Sequence, residues 1–246
     1  MADDLQSLCD EAQQQLQRTE YLACERTLER AERIALDRED YDSLGRLYMP
    51  LQEARRQRRQ RCGEGVVRLD LFADGPGHTL DAAQIIACYP HGQLLIAGWC
   101  SIEPAVRFRQ IERERQLYVE TWLAAVYPVA GSRAVVIVPT ADVAVPPGSN
   151  DSIDELVRRL PAHSIVMGEG ALPRGERRGT TETFAHAMSI WERLHAPFLA
   201  AADMQVDPIQ KIHAYRRTIE VDYACELAHQ KLSDIARQSA RQRRGR

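Results

Sequence analysis

This sequence of 246 residues contains few lysines and has no excess of positive charge. Only Lys211 and Lys231 are lysines, so arginine supplies nearly all of the positive charge. We interpret this as the codon bias of a GC-rich, bacterial genome. The formal net charge is −3, and binding to many phosphates requires a basic surplus. We therefore do not expect nucleic acid as a partner.

Paired cysteines and long apolar runs are also absent. The six cysteines include no Cys-x-x-Cys pair, which argues against a zinc site or a disulfide framework. No apolar run has the length of a membrane-spanning helix, and the N-terminal residues lack an apolar signal core. We expect a cytoplasmic protein with reduced thiols and no membrane partner.

The first quarter of the chain has the pattern of helices. Apolar residues recur at three- and four-residue steps, and polar breaks near residues 19–20 and 37–40 divide the pattern into three helices. The basic run Arg55–Arg61 reads as a solvated helix end, with a patch for an acidic partner as the alternative. Gly63 and Gly65 end the helical pattern. We predict a helical hairpin domain over residues 1–62 and a second domain over residues 63–246.

A repeat-like spacing runs through these helices. The spacing of a second repeat helix is met by Tyr21, Cys24, Leu28 and Ala31. The Leu44-Gly45-x-x-Tyr48 segment matches a first-helix signature, and Gly45 follows Ala12 by 33 residues, close to the repeat period. The segment resembles a tetratricopeptide repeat, which implies a helical surface that binds proteins. A plain antiparallel hairpin would show the same spacing.

From Val66 onward, strand-like and helix-like segments alternate. The predicted strands are 66–72, 93–99, 134–139 and 164–167. Short apolar runs of this kind are typical of parallel strands buried on both faces, and a helix between two of them is typical of a crossover. One such helix is predicted over 152–160, another from about 101 to 126, and a single long helix from Asp207-Pro208 onward. The sequence predicts a three-layer α/β domain with a mostly parallel sheet of about four strands.

Loops at the carboxyl ends of parallel strands meet at one edge of a sheet, where such sheets bind ligands. The candidate ligand-binding residues in these loops are Asp74, His78, Cys100, Asp142, Gly168, Glu169, Gly170, Arg174 and Arg178. The glycines permit close approach of the backbone to a phosphate, and the arginines supply positive charge. The loop after Gly168 matches neither the dinucleotide-binding nor the Walker pattern.

Two further patterns carry possible chemistry. Cys100 lies between a strand end and a helix start, where a thiol can act as a nucleophile; a buried structural cysteine is the alternative. The pairs Glu192/His195 and Glu226/His229 have the Glu-x-x-His spacing of carboxylate-bridged di-iron proteins, with ordinary surface pairs as the alternative. Since the other ligands of such a site are missing, we predict no metal, and no cofactor is specified.

No catalytic motif is complete in this sequence. It therefore favours a cytoplasmic protein-protein interaction or assembly protein without catalytic activity, whose partner is a protein and which can form a homo-oligomer. The alternative is a small enzyme or sensor that binds a phosphorylated ligand or nucleotide at the carboxyl edge of the sheet.

Overall fold

A computed structural model of the protein describes residues 5–149 and 151–244. The chain forms two compact units, one made of Met1–Arg59 with His195–Arg246 and the other of Gln60–Leu194. We call the first the helical unit and the second the sheet unit. The sequence placed all of residues 63–246 in one domain, whereas the structure groups the last helices with the first ones.

The described residues form nine helices and six strands. In chain order these elements are α1 (Leu5–Gln17), α2 (Tyr21–Asp37), α3 (Tyr41–Glu64), β1 (Val66–Phe72), α4 (Ala82–Cys88), β2 (Gly92–Trp99), α5 (Glu103–Arg115), β3 (Val119–Val129), β4 (Ser132–Val138), α6 (Ile153–Arg159), β5 (Ile165–Gly168), β6 (Arg177–Arg178), α7 (Thr181–Asp203), α8 (Pro208–Val221) and α9 (Glu226–Arg244). A single 3-10 turn, Glu169–Ala171, follows β5.

The three predicted N-terminal helices are confirmed as α1, α2 and α3. Their buried side chains, such as Leu28 and Leu44, share one hydrophobic core with Ile212 and Tyr215 of α8 and Leu232 of α9. The N-terminal helices therefore bury their apolar faces against the C-terminal helices and not only against each other. The resemblance to a tetratricopeptide repeat stays a prediction.

The C-terminal region is two helices, not the single long helix that the sequence predicted. The predicted start is confirmed, because the Asp207 carboxylate accepts a hydrogen bond from the Gln210 amide (2.9 Å) and Pro208 begins α8. The chain then turns between α8 and α9, where the Asp222 carboxylate accepts a hydrogen bond from the Ala224 amide (3.2 Å). The apolar stripe continues through both helices, so its periodicity alone does not reveal the turn.

The sheet unit contains a mixed sheet of six strands in the order β5-β4-β3-β2-β1-β6. Strands β1, β2 and β3 are parallel, whereas β4 is antiparallel to β3, β5 to β4, and β6 to β1. The α/β class is confirmed. The prediction of about four mostly parallel strands is wrong in both the number of strands and their direction.

Strand β3 was predicted as the end of a helix that reached residue 126. Helix α5 instead ends at Arg115, because Gln116 adopts a left-handed conformation with φ of 54°. Nearly every side chain of β3 is buried. Since a strand buried on both faces shows no polar alternation, its apolar run also fits the interior of a helix.

The predicted parallel pairing of β4 with β5 is wrong because the chain crosses the sheet twice between them. The proline-rich segment after β4 first returns to the edge where β4 began. There the Tyr127 hydroxyl donates a hydrogen bond to the Pro146 carbonyl (2.8 Å), and Asp151 forms a β-bridge with Val129. Helix α6 then makes the second crossing, so β5 runs opposite to β4. Only the helical crossing has a periodic sequence pattern, so a single crossing was predicted.

Helices pack on both faces of the sheet. One face shares a core with α4, α5 and α6, including Leu123 of β3, Phe108 of α5 and Leu156 of α6. Trp122 points to the opposite face, because side chains alternate along a strand. Its ring stacks on Trp191 of α7 with 5.3 Å between the ring centroids.

Gly45 marks a close approach of α3 to α9. A β-carbon at this position would lie 2.6 Å from the Arg237 γ-carbon and 3.3 Å from the Ser233 carbonyl oxygen. We expect Gly45→Ala to lower the free energy of unfolding by about 1–3 kcal/mol, because the two helices must separate. Urea denaturation checks this value.

The matched control is Gly170→Ala, since a β-carbon at Gly170 would meet no heavy atom within 4 Å. This change should stay within about 0.5 kcal/mol of the unmodified protein. Equal stability of the two variants would contradict the close packing of α3 against α9.

Candidate functional site

The structure brings only part of the predicted ligand-binding set to one sheet edge. Strands β1, β2 and β5 run in the same direction, so Asp74, Cys100 and Gly168 lie at their common carboxyl edge. Asp142 follows the antiparallel β4 and lies at the opposite edge. Arg178 also lies there, because it pairs with Val66, the first residue of β1.

The loop after β5 is held at that carboxyl edge by ion pairs. The Glu169 carboxylate accepts two hydrogen bonds from Arg133 (2.6 and 2.8 Å) and one from Arg174 (3.0 Å). Arg133 also donates to the carbonyl of Ala73 (3.4 Å), which precedes Asp74. Because Glu169 already neutralises Arg133 and Arg174, an incoming phosphate would compete with it for these cations.

The remaining predicted residues of this edge have local partners or none. The His78 Nδ1 atom accepts a hydrogen bond from the Asp74 amide (2.9 Å). Gly170 and Gly168 have open space where a β-carbon would stand. Cys100 is half-buried, and burial raises the pKa of its thiol. A raised pKa disfavours the thiolate, so this position does not activate Cys100 as a nucleophile.

A buried ionic network lies in the helical unit, and it includes part of the basic run Arg55–Arg61 that was predicted to be a solvated helix end. The Arg55 guanidinium donates to Glu25 (3.0 Å) and Glu29 (2.9 Å), and Arg58 also donates to Glu25 (3.0 Å). Only 7% of the Arg55 side chain and 5% of the Glu25 side chain are exposed. Burial opposes ionisation of Glu25, but Arg58 and Arg55 outweigh it and hold the pKa of this carboxyl well below its usual range.

A second cluster in the helical unit joins a histidine, an aspartate and a cysteine. The His195 Nδ1 atom lies 2.6 Å from the Asp222 Oδ2 atom, and Arg59 lies 2.7 Å from Asp222 Oδ1. The Cys225 sulfur lies within 4.8 Å of the His195 and Asp222 ligand atoms. Asp222 is fully buried, Cys225 is 4% exposed, and 14% of the His195 side chain is exposed. We call these four residues the Cys225 cluster.

The electrostatics of the Cys225 cluster keep His195 protonated near neutral pH. Burial alone would lower the pKa of His195, but its hydrogen bond with Asp222 and the neighbouring Cys225 raise that pKa to about 10. Burial would likewise raise the pKa of Asp222, but Arg59 and His195 lower it. The cluster therefore contains an imidazolium, a guanidinium and one carboxylate beside the Cys225 sulfur.

The predicted Glu-x-x-His pairs have other partners. His195 bonds with Asp222, as described above. His229 uses both ring nitrogens, since Nδ1 lies 2.8 Å from the Cys225 carbonyl oxygen and Nε2 lies 3.2 Å from Arg55. Burial and the Arg55 charge lower the pKa of His229 to about 3, so it is neutral. Glu226 accepts a hydrogen bond from Gln52 (3.3 Å). His229 thus has no free nitrogen for a metal.

His195, Asp222 and Cys225 form a different set of possible metal ligands. Their ligand atoms all lie within 4.8 Å of one another. The Arg59 guanidinium beside Asp222 and the protonated His195 ring both repel a cation, and a metal would have to displace the histidine proton.

The sequence contains one signal for this cluster that the spacing of apolar residues does not show. The Asp222-Tyr-Ala-Cys225 segment has a capping-type residue followed by the first turn of α9, which marks a helix break. Nothing in the sequence connects that break with His195, because the contact depends on the packing of α7 against the α8–α9 turn.

Comparison with known proteins adds no family. No protein-family model, curated protein or solved structure matches this chain. Among the described residues, no helix has the length and apolar character needed to cross a membrane.

Breaking the Arg55 network should be costly for the helical unit, because it leaves a buried carboxylate without its full set of partners. We expect Arg55→Met to lower the free energy of unfolding by about 3–5 kcal/mol, because it leaves Glu25 buried with one cation fewer. Denaturant unfolding measures this change. The control is Arg217→Met, since Arg217 pairs with Glu220 at 2.9 Å in an exposed position; it should change stability by no more than about 0.5 kcal/mol. A similar loss in both variants would contradict the role of burial.

The raised pKa of His195 predicts a stability that declines with alkaline pH. Protonation of His195 stabilises the folded state fully below pH 6.5, and this contribution is lost as pH rises towards 10. The groups around the ring are Asp222, Arg59 and Cys225. Relative to His195→Gln, the protein should lose about 2–4 kcal/mol over that range, at about 1.4 kcal/mol per pKa unit.

Urea unfolding at several pH values measures this difference. A difference between the two proteins that stays constant from pH 6.5 to pH 10 would show that His195 does not gain its proton affinity from the folded cluster.

Proposed function

We propose that this is a protein-interaction or assembly protein whose sheet unit binds a second copy of the same chain. The observation that carries the proposal is a stripe of two exposed apolar side chains on α6, the helix that precedes the edge strand β5. Ile153 and Val157 are one helical turn apart and are 47% and 49% exposed. The tetratricopeptide-like pattern of the N-terminal helices supports the same class of function.

The edge strand β5 offers hydrogen-bonding groups to such a partner. Within the described part of the chain, β5 pairs only with β4, and it is the terminal strand of the sheet. An unpaired strand edge is a template for pairing with another strand. A twofold axis beside β5 would place two copies of this strand antiparallel and extend the sheet across both chains.

The charges of α6 make this surface complementary to itself. Asp154 and Arg158 are exposed and lie one turn apart, directly beside the Ile153 and Val157 stripe. When two copies of α6 pack antiparallel, Asp154 of each copy faces Arg158 of the other. This pairing favours a second copy over an unrelated partner, because both attractive contacts come from one helix.

A substitution in the apolar stripe tests the assembly. We expect the protein to dimerise as its concentration rises, and Val157→Glu to raise the dissociation constant at least about tenfold, because it places a charge in an apolar contact. Sedimentation equilibrium measures both constants. A protein that remains monomeric at high micromolar concentration would overturn the proposal.

A charge-reversal pair provides the matched control. Asp154→Arg and Arg158→Asp should each weaken the dimer, because they place like charges opposite each other, whereas the double variant should restore it. Ser152 and Glu155 form the capping box of α6 and are unchanged in all of these variants. Restoration by the double variant separates a direct contact from a general loss of helix α6.

A further inference from the structure

The turn between α8 and α9 holds two side chains that can bind a metal. Asp222 and Cys225 are separated by two residues, which is a common spacing of paired ligands in zinc sites. The Cys225 amide donates a hydrogen bond to the Asp222 carbonyl (3.0 Å), and the Ala224 amide donates one to the Asp222 carboxylate (3.2 Å). These contacts fix the turn, so the two ligands keep their relative positions without a metal.

A third ligand reaches this turn from a distant part of the chain. The His195 Nδ1 atom lies 2.6 Å from Asp222 Oδ2, and the Cys225 sulfur lies within 4.8 Å of both residues' ligand atoms. In a tetrahedral zinc site with ordinary bond lengths, the ligand atoms are roughly 3.3–3.6 Å from one another. Shifts of about 1 Å or less would therefore bring the three atoms into contact with one ion.

The kinds of ligand favour zinc over other common ions. A thiolate and an imidazole suit zinc, whereas magnesium and calcium require oxygen ligands. Within the described part of the chain the set has three members, and three protein ligands leave a fourth position for water. The His195 side chain is 14% exposed, so solvent contacts one of the three ligands.

The Arg59 guanidinium is compatible with this coordination. It lies 2.7 Å from Asp222 Oδ1, whereas His195 lies beside Oδ2, so Arg59 and a metal would use different oxygens. A zinc ion together with one carboxylate and one thiolate has no net charge, which reduces its repulsion by Arg59. Arg59 also orients the carboxylate, as outer hydrogen-bond partners do for metal ligands.

We propose that His195, Asp222 and Cys225 bind a zinc ion, with a water molecule as the fourth ligand. Zinc takes the place of the proton on His195 Nδ1 and of the Cys225 thiol proton, and both protons are released to solvent. The pH dependence of stability predicted above for His195 belongs to the metal-free protein, which is prepared with a chelator.

Cobalt provides a test on the unaltered full chain. After removal of metals with a chelator, we expect the protein to bind about one equivalent of Co²⁺ with a thiolate-to-cobalt charge-transfer band in the near ultraviolet. One equivalent of zinc should abolish this band. Absence of the band would overturn the proposal, and this result does not depend on any variant folding correctly.

Substitutions identify the ligands. We expect Cys225→Ser to lose the charge-transfer band, and both Cys225→Ser and His195→Gln to weaken zinc binding at least about tenfold in equilibrium dialysis. Circular dichroism verifies that each variant is folded. The matched control is Cys88→Ser, because Cys88 is an exposed thiol; this variant should keep both the band and the affinity.

Two outcomes would show that the zinc is bound adventitiously and would overturn the proposal. One is unchanged zinc affinity in folded Cys225→Ser protein, and the other is loss of the band in Cys88→Ser. Val157→Glu, which should weaken the dimer formed through α6, should leave zinc binding unchanged. The zinc proposal and the dimer proposal can therefore fail separately.

Discussion

The Asp222 carboxylate is the constraint on which the polar interior of the helical unit depends. It is fully buried, yet it is ionised, because Arg59 and His195 each bond to one of its oxygens. A buried charge is tolerated only when it is paired and hydrogen-bonded. The carboxylate therefore determines where α3 and the C-terminal part of α7 can lie relative to the turn between α8 and α9.

The buried arginines of α3 explain why this interior remains polar. Arg55 and Arg59 are four residues apart on one helical face, and each meets carboxylates from other helices. Burying one such pair is close to neutral in free energy, but removing one partner is costly. The network thus specifies how these helices pack more than it adds to their net stability. Hydrogen-bonded ion pairs are directional, so they favour one arrangement of the helices over others.

Several elements could be predicted from the sequence because they depend on local interactions. Helices α1 to α3 follow from apolar spacing and polar breaks, and the start of α8 follows from Asp207 and Pro208. The direction of β5 relative to β4 could not be predicted, because the proline-rich segment after β4 also crosses the sheet and has no periodic pattern. Strand β3 was missed because burial on both faces removes the alternation by which a strand is recognised.

The candidate site was harder to predict than the fold because its residues meet only through tertiary packing. The predicted ligand-binding set included Asp74 and Glu169, which lie at one edge of the sheet. It also included Asp142 and Arg178, which lie at the opposite edge because their placement depends on strand direction. His195 was noted for its spacing from Glu192, although its partner is Asp222, 27 positions further along the chain. Sequence spacing identifies neighbours on one helix, not neighbours between helices.

The ion pairs of Glu169 at the sheet edge and the ion pairs of the Cys225 cluster differ in their exposure to water, and this difference decides how strong they are. At the sheet edge, Glu169 binds Arg133 and Arg174 in a region that solvent reaches, so their fields are screened. In the Cys225 cluster, one carboxylate faces two cations away from water, where electrostatic interactions are stronger. The same ion-pair geometry therefore gives weaker contacts at the sheet edge than in the Cys225 cluster.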